Sequence, residues 1–186
     1  MVPSTLPTVV ETAEARLQRA CPSVKVLSAA ADVTSESDMK AAASWVATQF
    51  PSQRIGAVFA NAGAIFGSNG LLKSKPEQWK IMLDVNVLGV LHTLQAFAPL
   101  LQASPAPSIM CTTASIGGLV RGEASIPGYC ATKHAVVAMT ESLSFELARP
   151  HPQIRVHVCC PCIVSTGLFR TSQTNRTAGE RALKTL

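Results

Sequence analysis

Aromatic side chains are scarce in this chain, 5% of 186 residues, and Tyr129 is its single tyrosine. Clustered positive charge is missing too. The formal charge of +5 is scattered, with no block denser than Lys73-Ser74-Lys75 and no interleaved aromatics, which argues against a nucleic-acid partner. No apolar run reaches the ~20 residues of a membrane span. The stretch from Val85 to Leu101 is interrupted by Asn86, His92 and Gln95 and carries Pro99, so a buried helix and no membrane association are expected. Met1-Val2-Pro3-Ser4-Thr5 shows neither a basic segment nor a following apolar one; a secretory signal is not expected, and a cytoplasmic location is. The six cysteines lack the two spaced pairs of a tetrahedral zinc site, so no metal is expected. Cys159 and Cys160, adjacent on an expected strand, should point to opposite sheet faces. Free buried thiols are the expectation, with Cys162 the more exposed and the candidate for redox sensitivity.

What is present is enough apolar material, 47%, for one domain with a sizeable core. Helix-like and strand-like segments alternate. Val9 to Ala20 carries apolar residues at helical spacing, and Cys21-Pro22-Ser23 ends it before a short expected strand, Val24 to Ala29. Ser35 can cap a helix through Phe50, with Asp38 three residues on. Ile55 to Ala60 reads as a strand stopped by Asn61-Ala62-Gly63. Pro76 suits the first position of a helix running through Leu101, with Glu77 in its first turn. Ser108 to Thr113 and Ile154 to Cys160 read as strands flanking a helix from Tyr129 to Ala148. Short apolar strands alternating with longer helices indicate a three-layer α/β sandwich on a parallel sheet. Residues 1–186 read as one domain. The polar stretch after Pro161, with Thr171-Ser172-Gln173-Thr174-Asn175-Arg176-Thr177, makes residues 167–186 either a mobile tail or a partial lid.

Tyr129 and Lys133 are four residues apart at the start of a helix, about 6 Å of rise and close to one turn, so their side chains share a face. An ammonium beside a phenol should lower a pKa that is ordinarily about 10 and make the phenol an acid–base group near neutrality. Open parallel sheets bind ligands at the carboxyl ends of their strands. There the expected fold gathers Asp32, Asn61-Ala62-Gly63, Ser115, and the segment from Pro161 to Thr166, with Tyr129 opening the helix after the third strand.

These motifs together resemble the classical short-chain dehydrogenase/reductase family. Asn61-Ala62-Gly63 resembles its Asn-Ala-Gly motif, and Asp84-Val85-Asn86-Val87 the stretch holding its catalytic asparagine. Thr113-Ala114-Ser115-Ile116-Gly117-Gly118 resembles the segment with the catalytic serine. Tyr129-Cys130-Ala131-Thr132-Lys133 matches Tyr-x-x-x-Lys, and Pro161-Cys162-Ile163-Val164-Ser165-Thr166 resembles Pro-Gly-x-x-x-Thr, with Cys162 in the place of glycine.

The resemblance implies a Rossmann-like fold and hydride transfer between NAD or NADP and an alcohol or ketone. It implies Tyr129 as proton donor or acceptor, Lys133 as support for it and holder of ribose hydroxyls, Ser115 as a polarising donor, and Asn86 as support for a water chain. Asp32, Asn61, Ala62, Gly63 and Thr166, with Tyr129 and Lys133, would bind the cofactor; capping remains the alternative for Asp32 and Thr166. A homodimer or homotetramer is implied, pairing the apolar positions of the two long helices. The family's Thr-Gly-x-x-x-Gly-x-Gly loop, where a helix N-terminus receives the pyrophosphate, has no counterpart in the sequence, nor has the strand that carries it. The expectation is therefore a chain shortened at both ends and inactive by itself, or a non-catalytic paralogue that binds a partner.

Overall fold

The computed structural model describes residues 7–51, 54–120, 122–164, 166 and 168. They fall within two compact units, Met1–Asp32 and Val33–Leu186. In the first, helix α1 spans Pro7–Ala20. The expected strand at Val24–Ala29 does not form. A strand exists only through its partners. Here the Gln18 side chain satisfies the backbone instead: its amide donates to the Val24 carbonyl at 2.8 Å and its oxygen accepts from the Val26 N–H at 3.1 Å.

The second unit is built on a three-stranded parallel sheet in the order β1-β2-β3, formed by Ala57–Ala60, Ser108–Thr113 and Ile154–Cys159. Ala57 pairs with Ile109, and Ile109 with Arg155. The strands fall where the apolar runs placed them, the middle one with the expected bounds and the outer two slightly tighter. Helix α2 spans Glu36–Gln49, and Ser35 caps it by accepting from the Asp38 N–H at 3.2 Å, as its sequence position suggests. The long helix after Pro76 is less regular than expected. It comprises α3 (Pro76–Leu83), one π turn (Asp84–Leu88) and α4 (Gly89–Gln102), with Pro76 in its first turn. Helix α5 spans Pro127–Leu147.

Strands that advance in one direction with right-handed crossovers receive both connections on one face. The core lies on that face: Val90, Leu94 and Leu101 of α4 and Val136 and Leu147 of α5 pack against Val58, Ala60, Met110 and Ile154. The opposite face is open among the described residues of this unit, with Phe59 66% and Ile109 38% exposed and Arg155, His157 and Cys159 beside them. The second helical layer of the expected sandwich is thus not among them. The burial expected of the thiols is corrected in the same way. Only Cys130 is buried; Cys111 and Cys160 are half-buried, and Cys21, Cys159 and Cys162 are exposed. Cys159 and Cys160 do face opposite ways, and Cys159 lands on the open side.

The continuous helix Pro76–Gln102 is long and apolar enough to cross a membrane by length and composition. In the fold it lays Val90, Leu94 and Leu101 against the sheet. Of the apolar positions expected to pair across a two-fold axis, Leu94 and Val136 are buried in the core, and Phe97, Val137, Met139 and Leu143 pack against it. Leu88, Leu91 and Phe145 remain exposed.

Candidate active site

The carboxyl ends of β1, β2 and β3 open onto a cavity of about 950 Å³ that brings together Asn61, Ala62, Gly63, Ser115, Tyr129, Lys133 and Thr166. Asp32 is exposed and belongs to the N-terminal unit. The expected lid or tail at 167–186 lies outside the described residues except for Leu168, which also lines the cavity.

Each functional side chain is held by its own local device. Ser115 follows β2 and caps a single 3-10 turn, Ile116–Gly118, accepting from the Gly117 N–H at 3.2 Å. The Ile116 N–H donates to the Pro161 carbonyl at 2.9 Å, which pins this turn to the segment leaving β3. Gly118 lets the turn lie directly on α5. A β-carbon there would sit 2.6 Å from the Lys133 carbonyl oxygen, closer than real β-carbons come.

Lys133 is 3% exposed, and its amine donates to the Thr113 carbonyl at 2.7 Å. The amine lies 5.6 Å from the centre of the Tyr129 ring. Tyr129 is itself buried, packed with Ile65, Phe66 and Met82. Burial pulls the Lys133 ammonium down from its usual 10.5 to about 8, partly offset by the Cys160 thiol. The same burial pushes the Tyr129 phenol up, and a hydrogen bond with Ser115 holds it back. This corrects the expectation that Lys133 lowers the phenol. Desolvation acts against both charged forms, and Ser115 is the neighbour that favours the phenolate.

Asn86 sits in the π turn, fully buried. Its Oδ1 accepts from the Ala64 N–H at 2.7 Å, and its Nδ2 donates to the Ala64 carbonyl at 2.9 Å and to Thr132 Oγ1 at 2.9 Å. Thr132 in turn donates to the Tyr129 carbonyl at 2.8 Å. Its backbone partner is not in its own helix but 22 residues away in sequence. Thr132 and the Thr113 carbonyl are the participants that sequence reasoning missed. Their only signal was position, beside Lys133 and at the end of a strand. Asn61 is exposed and accepts from Thr113 Oγ1 at 2.9 Å, so the ends of β1 and β2 are tied by side chains. Thr166 accepts from the Leu168 N–H at 3.3 Å, a capping bond that leaves its hydroxyl proton unassigned.

The residues fit a dinucleotide by one direct test. A β-carbon at Gly63 would stand 3.5 Å from Asn86 Oδ1 and 3.6 Å from Lys133 Nζ, in ordinary contact with both and taking up room beside the amine. Glycine keeps that space free, and an ammonium has three donors to offer. No group of His, Cys, Asp and Glu suited to a metal occurs among the described residues.

A family model described as short chain dehydrogenase matches residues 5–177. The (-)-trans-carveol dehydrogenase of Rhodococcus erythropolis is 37% identical over 124 residues, 66% of this chain and 43% of that protein. The cyclohexanol dehydrogenase of an Acinetobacter strain is 31% identical over 139 residues, 75% of this chain and 53% of that one. The chain spans about half the length of the curated relatives it matches. Its fold superposes on a short chain dehydrogenase/reductase from Burkholderia phymatum, crystallised with NAD, with a TM-score of 0.76 and 32% identity. That match covers 85% of this chain and 56% of the other.

Proposed function

This chain belongs to the short-chain dehydrogenase family, and on that premise we propose that its cavity is built for hydride transfer between NAD or NADP and a small alcohol or ketone. The observation that carries the reading is the meeting of Ser115, Tyr129 and Lys133 at one cavity, with Asn86 bracing the loop that leads into it. Ser115 orients the substrate oxygen through its hydroxyl. Tyr129 gives that oxygen a proton or takes one from it, and the Ser115 bond stabilises the phenolate form. Lys133 holds ribose hydroxyls with the donors that Thr113 does not use. Asn61, Ala62, Gly63 and Thr166 complete the cofactor side. The nicotinamide, when bound, supplies the hydride acceptor or donor. Asn86 has its amide engaged by Ala64 and Thr132, so it supports the proton path as a brace. A cytoplasmic setting and a homodimer or homotetramer belong to the same reading.

The sequence has no Thr-Gly-x-x-x-Gly-x-Gly loop. Such a loop gives backbone N–H groups to the pyrophosphate. The 186-residue polypeptide, having no such loop, therefore binds either dinucleotide weakly. A second reading is a non-catalytic protein that retains the fold to bind a partner.

Titration of the purified chain with NADH and with NADPH, followed by fluorescence, tests this. Weak binding of one dinucleotide, abolished in Lys133→Ala, supports the first reading. Micromolar binding abolished by that substitution would overturn the statement that the loop is needed. No binding by a well-folded chain favours the second reading.

A further inference from the structure

Asn69 is followed by Gly70, the single Asn-Gly pair in the sequence; the other asparagines precede Ala62, Val87 and Arg176. The pair leads into one 3-10 turn, Leu71–Lys73, ahead of α3. Asn69 is exposed, and neither its side chain nor the Gly70 N–H is held by a hydrogen bond among the described residues. Gly70 adopts a φ of +100°, and a β-carbon there would meet nothing within 4 Å, so the space around it is open.

The amide carbon of an asparagine side chain lies within reach of the next backbone nitrogen, because joining the two closes a small unstrained ring. A side chain on the following residue hinders that approach, and burial of the amide prevents it. Asn86 is fully buried, with its amide engaged by Ala64 and Thr132, and a β-branched valine follows it. Asn61 accepts from Thr113 Oγ1 and precedes an alanine.

We propose that Asn69 is a site of spontaneous deamidation, and that the modification loosens the loop before α3. The Gly70 nitrogen gives up its proton and attacks Cγ of Asn69; the C–N bond forms as ammonia leaves, giving a cyclic imide. Water then opens either imide carbonyl. One opening leaves aspartate. The other leaves isoaspartate, whose main chain runs through the former side chain and is longer by a methylene. The net change turns an amide and water into a carboxylate and ammonium, with no oxidant and no second protein.

The Gly70 carbonyl accepts from Ser68 Oγ and Ser74 Oγ at 3.1 Å each and from the Lys73 N–H at 3.2 Å. An extra main-chain atom just before Gly70 displaces the acceptor that these donors share. Ser68 also donates its N–H to the Ser125 carbonyl at 2.8 Å, which ties the loop to the turn before α5. The aspartate product adds charge and leaves the main-chain length unchanged.

The test stores the purified chain at mildly alkaline pH and follows its tryptic peptides by mass spectrometry, with isoaspartate read by enzymatic methylation. Asn69 should convert at least about tenfold faster than Asn61 or Asn86, a barrier difference of about 1.4 kcal/mol. Brief trypsin treatment of the stored, folded chain should cut after the exposed Lys73 at least about threefold faster than in fresh chain. Asn69→Gln should store without that gain. Freshly prepared Asn69→Asp, which adds the charge but not the methylene, should be cut like fresh protein. Conversion of Asn69 no faster than that of Asn61 and Asn86 overturns the inference. So does equal cutting of stored and fresh chain once Asn69 has converted, a gain that persists in Asn69→Gln, or faster cutting of Asn69→Asp. None of these readouts involves a dinucleotide, so they stand or fall apart from the proposed reaction.

Discussion

The Asn86 side chain engages both backbone groups of Ala64, accepting its N–H at 2.7 Å and donating to its carbonyl at 2.9 Å. A full amide pair of this kind mimics a strand partner. It holds the loop after β1 against the π turn, while the second amide proton reaches Thr132 and through it the first turn of α5. Asn86→Ala leaves both backbone groups of the half-buried Ala64 without that partner and removes one of the two bonds of the buried Thr132 hydroxyl. It should destabilise the chain by about 2–4 kcal/mol, read as a lowered urea midpoint with an unchanged slope.

Lys133→Met should stabilise the fold while weakening dinucleotide binding. The folded-state pKa of Lys133 is lowered to about 8. Below that value the lysine is charged in both states and burial opposes the folded one. Between about 8 and 10.5 the unfolded chain binds more protons, so stability rises with pH through that window. The substitution should therefore gain about 1–3 kcal/mol at neutral pH, with the gain shrinking as pH approaches 10. Urea titrations at a series of pH values check the sign; a gain that grows with pH would contradict it.

Because Tyr129 is alone, ultraviolet difference absorbance follows its ionisation without interference from another phenol. Its midpoint should lie above the ordinary value of about 10 in the unliganded chain, since burial dominates. Ser115→Ala should move it further up by removing the hydrogen bond that favours phenolate. A downward shift in that variant would mean that Ser115 favours the neutral phenol.

Gly118→Ala should be costly although the side chain added is small. Its β-carbon would meet the Lys133 carbonyl carbon at 2.8 Å, and backbone cannot rotate away as a side-chain tip can. A loss of about 1–3 kcal/mol is expected, with dinucleotide affinity falling as Lys133 is displaced. Thermal unfolding and the dinucleotide titration read the two effects separately.

Phe145 on α5 is 82% exposed, and Leu88 and Leu91 are exposed on the other long helix. If these residues pair two chains, sedimentation at micromolar concentration should show a dimer or tetramer. Phe145→Asp should then shift it toward monomer with little effect on the unfolding of each chain. A wild-type monomer would remove the pairing.

The sequence by itself determined the local elements and the identity of the reactive groups. Ser35 and Pro76 begin helices for reasons contained within one turn, capping and a fixed φ. The apolar runs at Ile55–Ala60, Ser108–Thr113 and Ile154–Cys160 needed only their composition to be read as strands of a parallel sheet. The spacing of Tyr129 and Lys133 placed them on one face before any neighbour was known.

Only the tertiary structure decided the rest, because those properties belong to pairs and surroundings. Val24–Ala29 has strand composition, yet Gln18 took its hydrogen bonds. Cys159 and Cys160 were certain to face apart, but which one met solvent depended on both crossovers lying on a single face of the sheet. The charge states of Tyr129 and Lys133 follow from burial and from Ser115 more than from their spacing. Thr132 became the link between Asn86 and Tyr129 only when residues 46 positions apart met in the core. Desolvation and hydrogen-bond partnership are set by what packs around a residue, and that is settled only when distant segments come together.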